Sequence, residues 1–205
     1  MILGLDTSTP ATAVAVLPGL ERRHDPEPGE RPGHAARLLA LVNEVVEDWS
    51  AIERIAVGVG PGGFTGLRIG IATARALAQA RDLPLVGVSS LAALAAPHDG
   101  RVVAVIDARR GEVFAASPGA FDPVALAPAA LAARIVPGSL AVGDGAIRFR
   151  EELERAGAVV PADGSPLHRV SALEVCRLGA AAEPTDRDAL LPDYRREPDA
   201  KPRPQ

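Results

Sequence analysis

Cysteine is almost absent from this 205-residue chain: Cys176 stands alone, so no internal disulfide can form and a reducing, cytoplasmic setting is expected. A helical pattern surrounds Cys176, which reads it as a small core residue and not a nucleophile. Aromatic residues make up only 3% of the chain, too few to build stacking platforms for exposed bases. Lysine occurs once, at Lys201, and the net charge is −4, so no basic stripe offers a grip on nucleic acid. Any RNA would have to be held by another subunit. No apolar run approaches the length of a membrane span. The opening MILGLDTSTP has neither a basic leader nor an apolar signal core, so nothing in it suggests export.

Histidine is also sparse, at positions 24, 34, 98 and 168. No H-x-x-x-H or H-E-x-x-H pair exists, so no helix presents two imidazoles to zinc or iron. His34 opens a helical pattern, but Leu38 stands four residues on. His34 therefore reads as a helix-start or surface residue, and no metal site is expected.

What the chain does have is apolar periodicity, with 47% hydrophobic residues. Residues 1–6 and 11–17 read as a strand hairpin joined by the hydroxyl-rich turn Asp6-Thr7-Ser8-Thr9-Pro10, with a weak third strand near Leu20. Residues 34–49 carry a helical stripe of unusual width. Residues 55–59 form the next strand. A turn, Gly60-Pro61-Gly62-Gly63, then feeds a long alanine-rich helix to Ala80, with Thr65 placed to cap it. Residues 85–88 read as a buried strand and Ser89 or Ser90 as the cap of a short helix. Pro97-His98-Asp99-Gly100 marks a boundary. Beyond it a second hairpin (101–108 and 112–117) precedes a short helix within 123–135, a strand near 139–143, and helices over 146–156 and 170–182. The tail from Glu183 is rich in proline and charge, and frayed from about residue 197. Each half opens on a hairpin, which predicts two similar α/β subdomains, 1–98 and 99–205.

The turn spells G-x-G-x-x-G at Gly58, Gly60 and Gly63, between strand and helix. A dinucleotide site also needs an acidic residue after the following strand, and Gly87-Val88-Ser89-Ser90 offers none. A P-loop needs lysine and a hydroxyl after Gly66, where Leu67-Arg68 stands. Along the helix, Gly66, Gly70, Ala74 and Ala78 recur every four residues and let another backbone approach closely. That ridge serves equally for packing inside the chain or for receiving a subunit. Asp6-Thr7-Ser8 and, in the second half, Asp107 could cradle phosphate or magnesium, or could act as local turn and cap devices. No nucleophile–base–orienter triad assembles, so no catalytic residue is expected.

Four stretches resemble the bacterial TsaB (YeaZ) family: residues 2–8 (ILGLDTS), residues 57–70 (VGVGPGGFTGLRIG), residues 87–91 (GVSSL) and residues 105–114 (VIDARRGEVF). After residue 117 the likeness is looser, at Pro128 to Leu131 and at Val142-Gly143-Asp144-Gly145. Pro192-Asp193-Tyr194-Arg195-Arg196 is similar to the family's P-x-Y-hydrophobic-R, with Arg195 in the apolar place.

The resemblance implies an actin-like ATPase (ASKHA) fold of two ribonuclease-H-like subdomains, with mixed sheets flanked by helices. It implies a part in making N6-threonylcarbamoyladenosine at position 37 of tRNAs reading codons that begin with A. The part is that of a non-catalytic partner of the catalytic subunit TsaD, with the ATPase TsaE completing the complex. ATP and a metal ion are expected on those partners, and no cofactor on this chain. The family places the subunit contact on the first subdomain's two long helices, packed against their counterparts in TsaD or in a second copy, and leaves monomer or homodimer open for the isolated chain. On this chain that assigns partner binding to Leu38, Leu41, Val42 and Val45 and to Gly66, Gly70, Ala74 and Ala78. Asp6, Thr7, Ser8 and Asp107 would be a vestigial nucleotide site. The rival reading is a self-contained ATP-dependent kinase or hydrolase with Asp6 and Asp107 around magnesium; a second, a metallopeptidase, is disfavoured by the missing histidine pair.

Overall fold

Alternation along the first two strands decides which face of the sheet receives which helices. β1 (Ile2–Asp6) and β2 (Thr12–Leu17) are buried along nearly their whole length, as strands covered on both faces must be. In this computed structural model, which describes residues 1–27 and 29–195, they pair antiparallel. β3 (Leu20–His24) adds antiparallel to β2, while β4 (Arg54–Gly60) lies parallel to β1 and β5 (Leu85–Ser89) parallel to β4. The resulting order is β3-β2-β1-β4-β5.

Leu3, Leu5, Val14, Val16, Ile55 and Val57 form one face of this sheet and pack with α1 (His34–Val45) and α2 (Phe64–Arg81). The intervening residues are small. Ala13 and Ala15 cluster with Ala172 and Cys176 of α7 (Ala172–Ala181) on the opposite face. A Cβ at Gly4 would stand 2.5 Å from both the Ala172 carbonyl oxygen and Cys176 Sγ, and one at Gly179 would stand 2.5 Å from Ala56 Cβ. Small side chains on both elements thus let α7 lie unusually close to the sheet.

The second sheet contains β6 (Val102–Arg109), β7 (Glu112–Ser117), β8 (Phe121–Leu126) and β9 (Leu140–Val142), in the order β8-β7-β6-β9. Its hairpin, third strand and parallel fourth strand repeat the first sheet without its fifth strand. α3 (Ser90–Ala95), capped by Ser89, fills the junction: Leu91 and Leu94 share one cluster with Val86 and Val88 of the first sheet and Val102, Ile106 and Phe114 of the second. α4 (Pro128–Ala132), α5 (Asp144–Arg148) and α6 (Arg150–Arg155) flank the second sheet, which they cover with Leu131, Ala146 and Leu153.

Several boundaries differ from the periodicity. The first long helix stops at Val45, and Trp49–Ala51 is a separate 3-10 turn whose Asp48 accepts from Ser50 N. The short helix expected within 123–135 is α4, and ahead of it lies an unforeseen strand, β8, where Pro123 sits on an edge that can spare an N–H. The helix expected over 146–156 is two, divided at Phe149. The boundary near residue 98 precedes the second sheet, and α7 packs back on the first. Arg196 and the tail expected to fray lie outside the described residues.

Burial pushes the Cys176 thiol up to about 12, so it stays protonated and inert, as a core residue should. Ellman's reagent should accordingly find no thiol in the native protein and one after denaturation. Gly4→Ala forces a methyl against backbone that cannot swing away, and should cost about 2 kcal/mol in urea unfolding. An unchanged midpoint would mean that α7 sits farther from the sheet.

Candidate functional site

The glycine turn between β4 and α2 does not stand open. Of its glycines only Gly60 needs a positive φ, at +104°; Gly58 and Gly62 are required for closeness. A Cβ at Gly58 would run into Asp6 Oδ2, and one at Gly62 into the Ser8 carbonyl oxygen. Gly63 N donates to that same carbonyl at 2.7 Å. Farther along α2, a Cβ at Gly66 would strike the Thr7 carbonyl oxygen and one at Gly70 the Thr7 hydroxyl, which itself donates to Gly66 O at 2.7 Å. Residues 6–8 of the same chain pack directly on the glycine turn. Thr65 is exposed and does not cap α2; Gly63 holds the N-cap position without a side-chain bond.

Asp6 is the centre of this contact. Its Oδ1 accepts from Ser8 N (3.0 Å) and Ser8 Oγ (2.7 Å), and its Oδ2 from Ser90 Oγ of α3 (2.9 Å). Burial nonetheless outweighs those donors and holds its carboxyl above the ordinary range. His34 is not a surface residue. It is buried against Gly66, its Nδ1 lies 2.9 Å from Thr12 Oγ1, and burial together with nearby His24 holds it below the usual imidazole range. In the second half, Asp107 Oδ2 meets Arg109 Nη1 at 3.3 Å and Arg148 Nη1 at 3.1 Å, while its Oδ1 accepts from Arg109 N. Asp144 accepts from Asp107 N, and burial holds its carboxyl high. Asp6 and Asp107 are thus each engaged by their own neighbours. Among the described residues no group of three or more His, Cys, Asp or Glu is gathered as for a metal ion.

The helices correct a second expectation. Leu38, Leu41, Val42 and Val45 are buried in the core beneath α1. Gly66, Gly70, Ala74 and Ala78 are buried as well, so the small-residue ridge faces inward and packs on this chain. The accessible faces are others. On α1 they are Ala36, Leu39 (53% exposed), Ala40 and Asn43; on α2 they are Thr65, half-buried Ile69, Ala72 and Ala76. Positions 36, 40 and 43, like 65, 69, 72 and 76, follow the three-and-four spacing of one helical stripe. The two helices pack together where His34 meets Gly66. Their outward stripes are uncharged and made of short side chains, with the charges of Arg37, Glu44 and Arg68 to the sides. Alanines at that spacing were visible in the sequence, but the more regular buried ridge masked them.

The raised Asp6 carboxyl carries a sign. Stability from its protonated form is full below the unfolded-state value and is lost as pH rises through the folded one. Relative to Asp6→Asn, the native chain should therefore lose ground in urea midpoints as pH rises from the ordinary carboxylate range towards neutrality. A constant difference across that range would show that the Ser8 and Ser90 donors fully compensate burial.

Comparison with known proteins agrees with this architecture. A family model for TsaD, tRNA N6-adenosine threonylcarbamoyltransferase, matches residues 27–133. The chain is 39% identical over 122 residues to the tRNA threonylcarbamoyladenosine biosynthesis protein TsaB of Haemophilus influenzae, covering 55% of this chain and 51% of that protein. It is 40% identical over 124 residues to the protein of the same name from Escherichia coli, covering 55% and 52%. The matches to these TsaB proteins thus span about half their length. An uncharacterized protein of Mycobacterium tuberculosis is 36% identical over 213 residues, covering 98% of this chain and 94% of its own. Among solved structures, YeaZ from Pseudomonas aeruginosa superposes with a TM-score of 0.71 at 32% identity, covering 94% of this chain and 99% of that one. The two linked sheets, the second a shortened copy of the first, are those of the actin-like ATPase fold. With the glycine turn, the Asp6 turn and the paired sheets all in place, the chain belongs to the TsaB/YeaZ family.

Proposed function

We propose that this protein is a docking subunit in the formation of N6-threonylcarbamoyladenosine at position 37 of tRNAs reading ANN codons. It works in the cytoplasm by binding the catalytic subunit TsaD and holding it in a competent state, and has no catalytic residue of its own. TsaE is the third member. ATP and the metal ion reside on those partners, and tRNA is reached only through the complex. Without a partner, the same face joins two copies of this chain. The names of the TsaB relatives support the pathway. The observation that carries the docking role is the uncharged stripe on the outward faces of α1 and α2. Short side chains there allow a second pair of helices to approach closely without burying a charge.

The contact therefore involves Ala36, Leu39, Ala40, Ile69, Ala72 and Ala76, with the buried ridge as support. The rival reading, an enzyme using Asp6 and Asp107 around magnesium, would need side chains that are otherwise committed to turns and arginines.

Ala72→Arg and Ala40→Arg should fold normally, because both positions are exposed. Each should weaken capture by a TsaD protein by about 3 kcal/mol, since an unpaired charge would be buried at the contact. A tRNA modification assay with TsaD and TsaE should fall in step. Normal capture and activity with both variants would sink the proposal, as would ATP turnover by the isolated chain.

A further inference from the structure

Residues 184–195 have no helix or strand of their own, yet they are tied along one flank of α2 and the free edge of β5. Thr185 N donates to Leu85 O at 2.8 Å, the start of the path. Leu190 then enters the core over Gly87, where a Cβ would stand 2.6 Å from Leu190 Cδ1. Asp193 N donates to Val59 O at 2.8 Å, beside the glycine turn. Tyr194 stacks on Phe64 of α2 at 5.4 Å between centroids and accepts from Arg68 Nε at 2.8 Å. Arg195 reaches the second sheet, donating to Pro123 O at 3.3 Å.

Besides Arg195, three more arginines lie along this segment. Arg75 Nη2 donates to Asp188 O at 3.0 Å and to Leu190 O, Arg187 pairs with Asp82 at 3.0 Å, and Arg68 lies 3.7 Å over the Phe64 ring. The Arg75 contact is incomplete. Its Nε is buried with no hydrogen-bond partner, and among the described residues it forms no ion pair. A half-buried guanidinium on neutral carbonyls, with its inaccessible Nε donor unsatisfied, regains that bond from water when the segment lifts. Against that stand one buried leucine, the half-exposed Tyr194–Phe64 stack with its Arg68 bond, the surface Arg187–Asp82 pair and a few backbone bonds. These are the marks of an element at the low end of local stability.

We propose that residues 184–195 are a detachable strap on α2, whose seating fixes the first half of the helix that carries the docking face. The inference rests on the proposed function only for what α2 docks with; the strap itself is a property of the isolated chain. Its anchors lie on Phe64, Arg68 and Arg75, on the flank beside Ile69, Ala72 and Ala76. A seated strap therefore presents those residues in one orientation, and a lifted one frees the first turns of α2 to fray.

Hydrogen exchange on the full-length protein tests this with Arg75→Met, which keeps the apolar stem and removes the donors. Leu190→Asp serves as a second, independent release. Amides of Thr185, Asp193 and residues 67–71 should exchange at least tenfold faster together in both variants, with β1 and β6 unchanged. Exchange that rises at Thr185 and Asp193 alone, or in neither variant, overturns the proposal. Capture by a TsaD protein should weaken at least tenfold in the same variants. If exchange accelerates while capture holds, the strap stands and the docking reading of α2 fails.

Discussion

The contact between the Asp6 turn and the glycine turn is the constraint on which the rest of the structure depends. Residues 6–8 enter a space that exists only because positions 58, 62, 66 and 70 lack side chains. Ser8 closes it from one side through Gly63, Thr7 locks it to α2, and Ser90 ties Asp6 to α3. One turn therefore joins the first hairpin, α2 and the helix at the junction of the two sheets. The same glycine spacing that invites a nucleotide reading is here a socket for the protein's own backbone. A glycine-rich loop before a helix binds phosphate only if its concavity is left empty.

That single contact also explains which expectations held. The strands and long helices were legible because apolar periods of two and of nearly four residues translate directly into faces. Leu3 and Leu5 against Gly4 set both sides of β1 from three letters. The small-residue ridge was legible as a site of close approach, but not in its direction. Gly70 is small for Thr7 of the same chain, and nothing local distinguishes that from being small for a neighbour. His34 opens α1 as expected, but its burial was not legible for a related reason: its partner, Thr12, lies in a strand that only the folded sheet brings to it.

Residues 184–195 were the least legible part, because proline and charge carry no period. Their contacts are long-range, made by single side chains such as Leu190 and by arginines on an element more than a hundred positions earlier. β8 was missed on similar grounds, since Pro123 ordinarily argues against a strand and only the edge position tolerates it. The family resemblance supplied the overall architecture, whereas the local physics of burial decided which faces remained for a partner.

The return of α7 to the first sheet has a consequence for how the chain is made. Gly4, Ala13, Ala15 and Ala56 can be covered only after residues 172–181 exist, and Leu190 seals the same lobe later still. A ribosome releasing the chain from its N-terminus thus emits a sheet with one finished face and one bare one for most of translation. The second sheet has one face covered by about residue 160, while its other face also waits for Val170 and Val175. The clasp over the first sheet made by α7 and Leu190 thus comes only after every strand it covers has been made. Truncated products would carry an open apolar face, which suits them to chaperone capture and proteolysis rather than to assembly.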